Sequence, residues 1–128
     1  MRKVFNIVCS LFAFCCCAQQ PKFESFTPKD FEKLLNEDSS IQLVDVRRPD
    51  EYSAGHIDKA TMINVLEPDF IAKAESLLDK SKPVAVYCRS GKRSKDAAKK
   101  LTAKGFKVYD LDSGYLGWLE FNKLKVEN

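Results

Sequence analysis

The sequence predicts a single α/β domain with a central, mostly parallel sheet and helices on both faces. Three observations carry that prediction. Short apolar runs at 41–46, 84–87 and 107–111 alternate with segments whose apolar residues recur at helical spacing. The chain has 128 residues, enough for one modest core that buries about two thirds of the unfolded surface. No internal repeat or low-complexity tract breaks the alternation.

The elements follow in order. Thr27-Pro28-Lys29-Asp30 has a capping hydroxyl, a proline at the first helical position and an acid in the first turn. It opens a helix whose buried face holds Phe31, Leu34 and Leu35. "IQLVDV", from Ile41, reads as a buried strand, "RPDEYSAGHI" as a turn with a short helix, and Thr61 to Val65 as a second strand. A helix over Pro68 to Leu78 leads to the strand Val84 to Tyr87. Ala97, Ala98 and Leu101 then mark a helix that ends near Gly105. A strand at Lys107 to Leu111 and a helix over Tyr115 to Leu124 complete the set.

Residues 1–17 stand outside this domain. Arg2 and Lys3 precede an uncharged run from Val4 to Phe14, the outline of an export signal. That run is well short of the roughly 20 apolar residues a permanent membrane helix needs. Two processing routes are open. With Cys16 at −3 and Ala18 at −1, a peptidase would release a soluble protein. Alternatively the segment resembles a bacterial lipoprotein signal, with Cys17 or Cys16 becoming the lipidated N-terminus. The lipid route accounts better for the adjacent Cys15, Cys16 and Cys17. Residues 18–22 are then a short linker and 23–125 the domain. The expected location is the bacterial cell envelope, either periplasmic or held to the membrane through the lipid alone.

Removing Arg2 and Lys3 from the 21 basic residues leaves 19 against 18 acidic ones, so the mature domain has no nucleic-acid footprint. Of the five cysteines, only Cys88 lies in the folded part, and it has no disulfide partner there. A buried structural cysteine is the ordinary reading of a lone Cys. "VYCRSGKRSKDAAKK" argues otherwise, because Arg89, Lys92, Arg93 and Lys95 crowd the thiol where a strand hands over to a helix. The carboxyl end of a parallel strand is where such sheets place their chemistry. Gly91 can take a left-handed conformation that turns backbone N–H groups of the loop toward the sulfur, and the next helix adds its positive end. Cations and helix N-termini of this kind favour thiolate over thiol.

"LVDVRRPDEYSAGHI", "VYCRSGKRS" and "VYDLDSGYLGW" together resemble the landmarks of the rhodanese-like family, in their order and spacing, over roughly 23–125. The resemblance implies that Cys88 accepts sulfane sulfur as a persulfide and passes it to a nucleophile. It also implies that Arg89, Ser90, Gly91, Lys92, Arg93 and Ser94 form the anion-binding loop. A cysteine phosphatase needs C-x5-R, but here Ser94 holds the sixth position and Arg93 falls one residue early. Gly91 stands where a C-x-x-C motif would need its second cysteine.

Asp45 and Arg47 are expected to pair with each other or with backbone near the end of their strand and to support the loop from behind, direct catalysis being the alternative. The resemblance gives the turn around His56 to packing, and Trp118, with Gly114 and Gly117, is expected to close the core. Glu51, Asp110 and Asp112 form no ligand cluster, so neither a metal nor an organic cofactor is implied. The expected reaction is sulfur transfer from a small anionic donor such as thiosulfate to a thiol or cyanide acceptor, an envelope protein being one candidate acceptor. A monomer is expected. The competing readings are a persulfide carrier or redox-interaction module with little free turnover, and a non-catalytic anion-binding domain.

Overall fold

The computed structural model describes residues 22–127. Its strands are β1 (Glu24–Phe26), β2 (Gln42–Asp45), β3 (Thr61–Met62), β4 (Val84–Tyr87) and β5 (Val108–Leu111). Its helices are α1 (Pro28–Glu37), α2 (Pro49–Ala54), α3 (Phe70–Leu77), α4 (Lys92–Thr102) and α5 (Gly114–Glu127). The strands form one sheet in the order β1-β5-β4-β2-β3, and every pairing among the described residues is parallel. The export and lipidation readings, with Cys16 and Cys17, fall outside the described residues.

Strand alternation divides the core between the two sheet faces. Val44, Val84, Val86 and Val108 meet Phe70 and Ala74 of α3 and Ala97, Ala98 and Leu101 of α4. On the other face Leu43, Ala85, Tyr87 and Leu111 meet Phe31 of α1, with Tyr115 and Trp118 of α5 packed against them. Fully burying one such Val, Leu or Phe contributes about 1.5–3 kcal/mol. Helix α1 starts as its sequence indicates: Pro28 is the first helical residue and the Asp30 N–H donates to Thr27 Oγ1 at 3.2 Å. Phe31 is fully buried, whereas Leu34 and Leu35 are half-buried.

Two strands and the limits of two helices depart from expectation. Strand β1 has no apolar run to announce it: its residues are Glu-Ser-Phe, and it pairs only with β5 at the sheet edge. Strand β3 is two residues long rather than five. Ile63 and Val65 are buried and still donate to the carbonyls of Asp45 and Val46, at 2.9 and 3.1 Å. The chain then turns, with the Leu66 N–H donating to the Asn64 side chain at 3.0 Å. Helix α3 begins at Phe70, after that turn, and α5 runs past Leu124 to Glu127.

Candidate active site

Cys88 follows the last residue of the central strand β4, at its carboxyl end, and is 1% exposed. The Gly91 N–H donates to its sulfur at 3.1 Å. Gly91 has φ +105°, and a Cβ there would overlap the Asp112 carbonyl oxygen, so only glycine fits without strain. Two carbonyls of this segment are held by α5. Cys88 C=O accepts from the Tyr115 N–H at 2.8 Å and Arg89 C=O from the Leu116 N–H at 3.1 Å. Both donors belong to the first turn of α5, whose N–H groups have no partner within the helix. Gly114 permits this approach, since a Cβ on it would overlap the Arg89 carbonyl.

A second brace comes from β5. Asp110 is fully buried and accepts from Ser25 Oγ at 2.7 Å and from Ser94 Oγ at 2.6 Å. Lys95 Nζ lies 3.0 Å from Asp110, 2.9 Å from Asp112 and 3.2 Å from the Gly91 carbonyl. Burial would lower the Lys95 pKa, but the bonds to Asp112 and Asp110 outweigh it and hold the ammonium above its ordinary value. Ser94, also fully buried, has its hydroxyl committed to Asp110 and 3.2 Å from the Gly91 carbonyl. Its side chain steadies the loop from inside.

A third brace runs through Tyr87. Its hydroxyl donates to Asp45 Oδ2 at 2.7 Å and accepts from the Ile57 N–H at 3.0 Å. Burial pushes the phenol pKa far up, so it keeps the proton it donates. Asp45 and Arg47 form the expected pair: Arg47 Nε and Nη2 meet the carboxylate at 2.9 and 2.7 Å, and Nη2 also donates to the Gly55 carbonyl at 2.7 Å. The guanidinium lies 4.6 Å from the ring centre of Tyr115. This network fixes the residue directly before Cys88.

The four cations of the loop therefore divide. Arg93 meets Glu51 of α2 through two bonds, Nη1–Oε1 at 2.7 Å and Nη2–Oε2 at 2.9 Å. Arg93 holds the Glu51 carboxyl down to about 2, assisted by the Arg48 N–H at 3.1 Å. Lys95 is taken by Asp110 and Asp112. Arg89 and Lys92 are exposed and make no ion pair among the described residues, and Ser90 is exposed beside them. His56 is exposed and stacks on Tyr52 with ring centres 3.7 Å apart, its Nδ1–H donating to the Tyr52 carbonyl at 2.9 Å. Trp118 is half-buried and meets Phe31 edge-on at 6.2 Å.

Glu51 and Asp110 are the members sequence reasoning undervalued. Asp110 carried a signal, because an acid in the middle of an apolar strand needs a buried partner. Glu51 carried less, since its partner lies 42 residues away. Among the described residues no group of three or more His, Cys, Asp and Glu side chains could hold a metal ion. Cavities of about 290 and 180 Å³ open beside Phe23, Lys107 and Tyr109 and beside Leu35, Ile41 and Lys59. Both lie at the amino ends of strands, the opposite end of the sheet from Cys88.

A family model for the rhodanese-like domain matches residues 27–121. Rhodanese-like domain-containing protein 17 of Arabidopsis thaliana is 33% identical over 124 residues, covering 85% of this chain and 77% of the relative. The thiosulfate sulfurtransferase GlpE of Shewanella oneidensis is 38% identical over 90 residues, covering 69% of this chain and 85% of the relative. Among solved structures, a rhodanese-related protein from Thermoplasma volcanium superposes with a TM-score of 0.67 at 26% identity, covering 77% of this chain and 93% of that one.

Proposed function

The chain belongs to the rhodanese-like family, and from that premise we propose that it is a sulfurtransferase that works through a persulfide on Cys88. One observation carries the reading. The Gly91 N–H donates to Cys88 Sγ at 3.1 Å, in a loop whose Cys88 and Arg89 carbonyls accept from α5 and whose Gly91 carbonyl accepts from Lys95. Such a loop offers a donor and positive charge to an anion on sulfur, with three of its carbonyls committed elsewhere.

In the proposed reaction the Cys88 thiolate attacks the outer, sulfane sulfur of a donor such as thiosulfate. A bond forms between Sγ and that sulfur, the donor's S–S bond breaks, and sulfite leaves with the electron pair. The persulfide's outer sulfur then carries the negative charge, beside the Gly91 N–H and the exposed cations Arg89 and Lys92. A thiol or cyanide next takes that sulfur, and Cys88 returns to thiolate. Asp45, Arg47 and Asp110 act as positioning residues, each through a neighbour of Cys88. The proposed setting is the cell envelope, supported by the charged and apolar segment at Arg2 to Phe14.

The test is a thiosulfate-to-cyanide assay run beside mass spectrometry of donor-treated protein. Turnover together with a one-sulfur gain that Cys88→Ser abolishes is the expected result. A sulfur gain with no turnover would replace the enzyme with a carrier, and neither signal would leave only anion binding.

A further inference from the structure

Resting on the sulfurtransferase reading and extending it to the acceptor, we infer that Arg89, Lys92 and the outer stripe of α5 form a docking site for a protein whose cysteine is flanked by acidic and apolar side chains. Folding divides the cations around Cys88 into two pairs. Arg93 and Lys95 are neutralised by Glu51, Asp110 and Asp112, whereas Arg89 and Lys92 are exposed and have no ion-pair partner among the described residues. An acidic partner meets two charges that no acid of the described residues takes.

Helix α5 adds apolar surface beside them. Leu116 and Leu119 are 45% and 46% exposed and Val126 is 85% exposed, although their positions at i, i+3 and i+10 share one side of the helix. Lys123, also exposed, lies between them, and the exposed Glu120 and Glu127 line one edge of the same side, so the cations that meet the partner are those of the loop. This stripe begins at the loop itself, because the Leu116 N–H donates to the Arg89 carbonyl at 3.1 Å. Thiosulfate and cyanide make use of the cations alone, with no use for apolar surface running away from the sulfur. A protein surface covers both.

The transfer step balances without an added oxidant. The partner's thiolate attacks the outer sulfur of the Cys88 persulfide, and a new S–S bond forms on the partner. The bond to Sγ breaks, its electron pair returns Cys88 to thiolate, and the partner leaves as a persulfide.

Two synthetic cysteine peptides of equal length test this with sulfur-loaded protein, one flanked by Asp, Glu and Leu, the other by Lys and Ser. Transfer to the acidic, apolar peptide is expected to be at least about tenfold faster at low salt, with the gap narrowing as salt rises. The double variant L116Q/L119Q should lose about fivefold of that rate and keep its thiosulfate-to-cyanide turnover. Equal rates for both peptides, or an unchanged double variant, would overturn the docking site. Fluorescence anisotropy with labelled peptides carrying Ser for Cys separates the two readings. Selective binding without any sulfur transfer would keep the docking surface and sink the sulfurtransferase, and turnover on cyanide without selective binding would do the reverse.

Discussion

Glu51 and Arg93 form a two-point ion pair that ties helix α2 to the first turn of α4, with side chains only 14% and 22% exposed. The pair spans 42 residues of sequence and steadies the helix that leaves the Cys88 loop. Its consequence for acid stability has a definite sign. Glu51 titrates near 2 in the fold against an ordinary 4.5, because of its bond to Arg93. The pair therefore stabilises the fold fully above pH 4.5, and that contribution disappears as pH falls toward 2. Urea unfolding should show Glu51→Gln less stable than the native protein by roughly 2 kcal/mol at pH 7, with partial solvent screening allowed for. The gap should close near pH 2. A gap that does not change with pH would separate Glu51 from that titration.

Donor recognition should rest on Arg89 and Lys92 more than on Arg93. With both replaced by Gln, the KM for thiosulfate should rise about fivefold and turnover on an uncharged persulfide donor should hardly change. Arg93→Ala should instead reduce stability and affect both donors alike. Steady-state kinetics with the two donors decides between these patterns.

Gly91→Ala places a Cβ against the Asp112 carbonyl and forces a left-handed φ on alanine. A loss of at least about 2 kcal/mol in unfolding free energy is expected. Because the same residue supplies the N–H to Cys88 Sγ, sulfur uptake should fall further than stability explains, as read by mass spectrometry under conditions where the variant is folded.

Lys59 is the one non-glycine residue with positive φ among the described residues, at +73°. Its side chain is exposed. Lys59→Gly should stabilise by about 0.5–1 kcal/mol, the relief of left-handed strain less the extra freedom glycine has when unfolded. A calorimetric rise in Tm of a few degrees is expected, on the order of 2–6 °C. A fall would show that this turn relies on the lysine side chain.

The envelope proposal is tested by replacing Cys15, Cys16 and Cys17 together with Ser. If one of them carries lipid, fractionation should move the protein from the membrane to the soluble pool, while the domain from Lys22 retains sulfur uptake. A native protein that is already soluble with Gln19 at its N-terminus would establish peptidase cleavage after Ala18 instead.

By itself the sequence determined the α/β class, the helix starts at Thr27-Pro28 and the limits of β4, because apolar periodicity and capping chemistry act over a few residues. It also placed Cys88 at a strand end and marked Gly91 as the turn. Strand β1 stayed hidden because an edge strand of three residues needs only backbone bonds to β5, which no side-chain pattern records. The Asp45–Arg47 pair was legible because its members lie two residues apart. Which cations face solvent was not, since all four look alike along the chain. Only folding brought Glu51 to Arg93 and Asp110 to Ser94 and Lys95, through ion pairs and hydrogen bonds between distant segments, while Arg89 and Lys92 stay exposed and unpaired among the described residues.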